Sequence, residues 1–227
     1  MFRSLKTLCV AATLALTTLT AAAANVSQQD ASSALKDALS QGAQIAVKQL
    51  GRPGGFSNDP NVRIELPGKL AKASKTLRML GMGAQIDQLE NGLNAAAEAA
   101  VPQAQAILLD SVKKMTISDA RAILGGQQNA ATQYLDKTSR AQIRDRFLPI
   151  VKQTTDKIDL AQQYNALVGR AAGLGAVNAD SANLERYVTE RALDGLFKVI
   201  AGQEAAVRQD PAGAATSIAR RVFEAVR

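Results

Sequence analysis

The stretch Arg52-Pro53-Gly54-Gly55-Phe56-Ser57-Asn58-Asp59-Pro60-Asn61-Val62-Arg63-Ile64-Glu65-Leu66-Pro67 lies between segments that read as helix, and it cannot itself be helical. Pro53, Pro60 and Pro67 push the residues before them toward extended geometry, and Gly54-Gly55 signals a turn. Val62, Ile64 and Leu66 alternate with Arg63 and Glu65, the period of an extended chain with one face buried. An extended segment alone among helices predicts a long strap, residues 51–67, laid across them. Such a strap either seals a core edge or roofs a groove; connections longer than about 12 residues are often functional.

Outward from the strap, apolar residues recur three and four apart. Ser32-Ser33 begins a helix through Leu35, Leu39, Val47 and Leu50 that Gly51 stops, and Leu66-Pro67 opens a second through Leu70, Leu77 and Leu80 to Gly81. A third starts near Gln85 with Ile86, Leu89 and Leu93; Pro102 kinks or restarts it before Leu108 and Val112. Thr116 with Asp119 predicts an N-cap for a short helix closed by Gly125-Gly126. Asn129 to Leu135 offers another turn or two, and Thr138-Ser139 a cap for a longer helix that Pro149 bends. Ile158 to Ala172 follows, then a second loop region over Gly173-Leu174-Gly175 and Asn178 to Asn183. Leu184 to Ile200 and a segment opened by Asp210-Pro211 complete the chain. The expectation is an all-α fold, a bundle of about eight or nine helices in a single domain over residues 25–227.

Residues 1–24 have Arg3 and Lys6, a short apolar run from Leu8 to Leu19, and Ala21-Ala22-Ala23-Ala24, the layout of a cleavable secretory signal. The run is shorter than the roughly 20 apolar residues of a membrane span, so the chain is expected not to span a membrane. Cleavage near Ala24 predicts a periplasmic protein starting near Asn25, without its only cysteine, Cys9. It would keep 25 basic and 20 acidic residues, a formal charge of about +5.

With no histidine, no tryptophan and no cysteine beyond Cys9, Ser-His and Cys-His nucleophile pairs, histidine-bound zinc and redox thiols are excluded. Ser33-Ala34-Leu35-Lys36 and Ser111-Val112-Lys113-Lys114 match S-x-x-K, but the accompanying K-T-G is absent. No glutamate is followed by serine, the pattern of lytic transglycosylases. Gly81-Met82-Gly83 and Gly173-Leu174-Gly175 lack the third glycine of a dinucleotide fingerprint and read as helix ends. Asp156 and Asp159 are not spaced as a calcium loop. No cofactor, metal ligand or catalytic residue is assigned, and the balance leans away from an enzyme.

Six blocks occur in one order: Ala34 to Leu39, Asn61 to Pro67, Ala96 to Pro102, Met115 to Ala120, Ala130 to Leu135, and Tyr187-Val188-Thr189-Glu190-Arg191-Ala192-Leu193-Asp194-Gly195-Leu196-Phe197. Together they resemble the bacterial domain-of-unknown-function family 4197. The resemblance spans about Ala34 to Phe223. It implies a secreted, single-domain helical protein and assigns no activity. Two places depart from the family's pattern: Ala95, where arginine is frequent, and Gly202-Gln203, where acidic residues are usual.

Candidate ligand or strap-site residues are Arg63, Glu65, Glu98, Tyr134, Tyr187 and Asp194, charges and phenols set beside strongly apolar neighbours. Buried charges need partners, so either Arg63 reaches Glu98 or Asp194 and pins the strap over a groove, or the three are separate surface charges of small energetic weight. Three functions fit: a non-catalytic binding module for an apolar or anionic envelope ligand, a factor that docks other envelope proteins, and a carboxylate-dependent envelope enzyme. The modest charge is interleaved with acids and lacks an aromatic platform, which disfavours nucleic acid.

Overall fold

The computed structural model describes residues 27–173 and 183–209. The expected signal peptide, most of the second loop region and the segment opened by Asp210-Pro211 lie outside the described residues. The helices are α1 (Gln28–Leu50), α2 (Gly68–Leu77), α3 (Gly83–Ala100), α4 (Ala104–Lys114), α5 (Ile117–Leu124), α6 (Ala130–Lys157), α7 (Leu160–Gly173) and α8 (Leu184–Gln209). The described residues contain no strand, so the all-α class holds.

The expected count does not. A π turn, Arg78–Met82, joins α2 to α3 across a kink at Gly81, whose dihedrals leave the helical region, and a 3-10 turn, Val101–Gln103, joins α3 to α4. Residues 68–114 are therefore one helical run kinked at Gly81, and the described residues make six helical stretches rather than eight or nine. The second departure is α6. Thr138 was expected to start a helix, but its hydroxyl bonds back to the Tyr134 carbonyl at 2.8 Å inside a continuous one. A threonine that satisfies itself in this way can sit within a helix as well as cap one. Leu135, Ser139, Ile143, Phe147 and Val151, four apart and fully buried, carry the helix through it.

The other ends follow the local signals. Ser27 Oγ accepts from the Asp30 amide at 3.0 Å and starts α1 one turn earlier than the apolar pattern suggests. Gly51 ends it, donating to the Val47 carbonyl at 2.8 Å. Thr116 and Asp119 cap α5 reciprocally. In the core α6 packs against α8 and α3, α1 packs against α4 and α8, and α7 lies on α3. Small residues at α3 positions Ala96, Ala97 and Ala100, all fully buried, let these helices approach closely.

Candidate functional site

The strap is built in two parts. From Arg52 to Arg63 it is a chain of turns, with amides bonded three or four residues back: Gly55 to Arg52, Asn58 to Gly54, Val62 and Arg63 to Asp59. Only residues 63–67 form an unbroken stretch free of helix and turn, ending in extended geometry at Pro67, which corrects the expectation of a long extended segment. The proline and glycine signals that exclude helix are equally the signals of successive turns. The alternation is as expected: Phe56, Val62, Ile64 and Leu66 are buried, and Arg63 and Glu65 are exposed.

One face of α3 holds the strap. Glu90, Asn94 and Glu98 are spaced four apart, and all three are buried. Glu98 accepts from the amides of Gly54 at 3.1 Å, Phe56 at 3.0 Å and Ser57 at 3.3 Å. The turn thus forms a cradle of N–H groups around a carboxylate that no cation pairs among the described residues. Asn94 Oδ1 accepts from the Ile64 amide and its Nδ2 donates to the Ile64 carbonyl, both at 2.8 Å. A side-chain amide therefore replaces the neighbouring strand that this lone extended segment lacks. Glu90 receives Arg63 at 2.8 Å and Arg78 at 3.5 Å.

From the other side α8 closes on the same segment. A Cβ at Gly195 would stand 2.7 Å from Phe56 Cε1, so only glycine lets the strap's phenylalanine seat against α8. The Tyr187 hydroxyl donates to the Glu65 carbonyl at 2.8 Å, and Lys198 Nζ to the Asn61 carbonyl at 2.8 Å. Between the strap's edge, the start of α2 and α8 lies a cleft of about 440 Å³, lined by Arg63, Glu65, Lys72, Tyr187, Arg191, Asp194 and Lys198 among others. Arg191 stacks its guanidinium 5.5 Å from the centre of the Tyr187 ring. Its contact with Tyr187 raises its pKa, with help from Asp194 and Glu65.

Four of the expected site residues, Arg63, Glu65, Tyr187 and Asp194, thus meet at one cleft. Glu98 sits behind the strap rather than in the cleft. Tyr134 stands apart on α6, its pKa pushed up by burial and by the charge of Asp119. The expected partners of Arg63 are corrected: it pairs with Glu90, because Glu98 is occupied by strap amides and Asp194 is bonded to Arg140 at 2.6 Å. Glu90, Asn94 and Gly195 were not singled out from the sequence. A polar stripe at intervals of four in an otherwise apolar, alanine-rich helix is the signal that marks the first two.

Asp194 belongs to an ion network on the outer seam of α6 and α8. Arg140 reaches Asp136 at 3.3 Å, Glu190 at 3.1 Å and Asp194, while Arg144 also bonds Glu190. Burial opposes the charge on Arg140, but its bonds to Asp194, Glu190 and Asp136 outweigh it and its pKa rises. Glu190 is held below the usual carboxylate range, first by its bond to Arg144 and against some burial. Among the described residues no acidic cluster has the makings of a metal site.

The helical bundle thus ties an irregular segment down with buried carboxylate and amide side chains and leaves a polar cleft at its edge. The chain matches, over residues 25–224, the family described as Protein of unknown function (DUF4197), and it belongs to that family. No curated protein and no solved structure matches it. Ala95 is exposed on α3 and Gly202-Gln203 lies further along α8; neither lines the strap cleft.

Proposed function

We propose that the protein is a non-catalytic binding module of the periplasm, exported by its N-terminal signal, whose strap cleft takes a small anionic envelope ligand. One observation carries this reading: Arg63, Lys72, Arg191 and Lys198 face two carboxylates, Glu65 and Asp194, and Asp194 is already bonded to Arg140. Lys72 and Arg191 are exposed, with no carboxylate bonded to them among the described residues. Arg63, Tyr187 and Lys198 are committed to holding the strap, which suits binding better than proton transfer.

Native mass spectrometry of the protein purified from the periplasm tests this. The expected result is a retained small anionic mass that Arg191→Ala with Lys72→Ala releases. A protein that arrives bare, and whose melting temperature ignores millimolar phosphate and pyrophosphate, would sink the proposal. A retained protein instead would favour docking of another envelope protein.

A further inference from the structure

The turn between α2 and α3 exposes what the rest of the molecule hides. Met79 and Leu80 are adjacent and 73% and 55% exposed, although Leu70 and Leu77 of the preceding helix are buried. The π turn breaks the helical register there, and Gly81 kinks the chain with φ at +83°. A Cβ on Gly81 would meet nothing within 4 Å, so this side of the turn faces open space while Met82 behind it is buried.

Charge says what suits this tip. From Pro67 to Ile86 the sequence carries Lys69, Lys72, Lys75 and Arg78 and no acidic residue. Lys72 and Lys75 are exposed and have no ion pair among the described residues. Asp87 and Glu90, on α3, are both held by Arg78, at 2.6 and 3.5 Å. Two apolar side chains beside an uninterrupted run of cations fit the boundary between phosphate headgroups and acyl chains. An apolar tip alone would serve a protein partner equally; the unbroken positive run favours anionic lipid.

We propose that the α2–α3 turn docks the protein onto an anionic phospholipid surface, with Met79 and Leu80 entering between headgroups and Lys72 and Lys75 over the phosphates. No helix among the described residues is long and apolar enough to cross a membrane, so this is surface attachment. It goes beyond the cleft reading and rests on different side chains, Lys72 excepted.

Co-flotation with vesicles of equal parts phosphatidylglycerol and phosphatidylcholine, against phosphatidylcholine alone, tests it on the full chain. Binding is expected on the mixed vesicles, weakened by salt and weak on the neutral ones. Met79→Ser with Leu80→Ser should cut it roughly tenfold, and Lys75→Glu about fivefold or more. These side chains are exposed, so the variants should keep their helical circular dichroism.

Because the chain has no tryptophan, Leu80→Trp supplies a single emitter that should shift to the blue on mixed vesicles. Absent binding, equal binding to both vesicles, unaffected variants or an unshifted emission would overturn the proposal. Arg191→Ala should leave flotation unchanged, and the Met79 and Leu80 variant should keep any mass held in the cleft. Failure of one reading is therefore separable from failure of the other.

Discussion

The strap-facing side of α3 and the outer seam of α6 and α8 use charge in opposite ways. Under the strap, Glu98 is 8% exposed and surrounded by backbone amides that cannot turn away. Along the outer seam, Glu190 and Asp194 meet arginines whose side chains are long, partly solvated and adjustable. A buried carboxylate with fixed donors specifies one path of the chain, since its loss strands every donor it served. An exposed pair gains little, because water and salt replace either partner. Charge at the strap is structural, and charge at the seam is surface tuning.

The largest expected effect lies at Glu98. Glu98→Ala leaves three amides without their acceptor, at about 1–3 kcal/mol each, so chemical denaturation should show a loss of roughly 3 kcal/mol or more. Glu98→Gln keeps one acceptor oxygen and turns an NH2 toward the other donors, which predicts an intermediate loss. If both variants stay within about 1 kcal/mol of the parent, strap and seam do not differ as argued.

Gly195→Ala comes next. The added methyl would meet Phe56 at 2.7 and 3.3 Å and the Val62 Cβ at 3.4 Å, so the strap has to lift. A cost of about 1–3 kcal/mol is expected from overpacking, with faster amide exchange at Phe56 and Val62 but not along α6. Uniform exchange changes would instead mean that the strap does not move as a unit.

The smallest effect is at the seam, and it depends on pH. The folded pKa of Glu190 is lowered, chiefly by Arg144, so its contribution is complete above the unfolded value of about 4.3 and is lost as pH falls through the lowered folded value. Because the group is partly exposed, Glu190→Gln should cost less than about 1 kcal/mol near neutral pH. The gap between variant and parent should close in acid and shrink in high salt. A gap that persisted in acid would point to packing rather than charge.

Much of this could be read before any coordinates. Three prolines and a glycine pair excluded helix from residues 51–67, and period-two alternation put Val62, Ile64 and Leu66 inside and Arg63 and Glu65 outside. Gly51 and the Thr116–Asp119 box marked real helix ends, because each acts through bonds within a few residues. Thr138 misled because a hydroxyl can bond backbone inside a helix as readily as at its start. The helix count failed because Gly81 only kinks the chain within a π turn and Pro102 is absorbed by a 3-10 turn, so neither opens a loop between its helices.

By itself, then, the sequence determined the helical class, the place of the strap, which of its side chains are buried, and the absence of histidine and thiol chemistry beyond Cys9. Those depend on dihedral preferences, on periodicity and on which functional groups exist. Only the tertiary structure decided that Glu98 serves the amides of residues 54–57, that Arg63 goes to Glu90, and that Gly195 receives Phe56. These contacts join residues from 27 to about 140 positions apart in the chain. A charge or a glycine in sequence carries no sign of which distant group the packed helices bring to it.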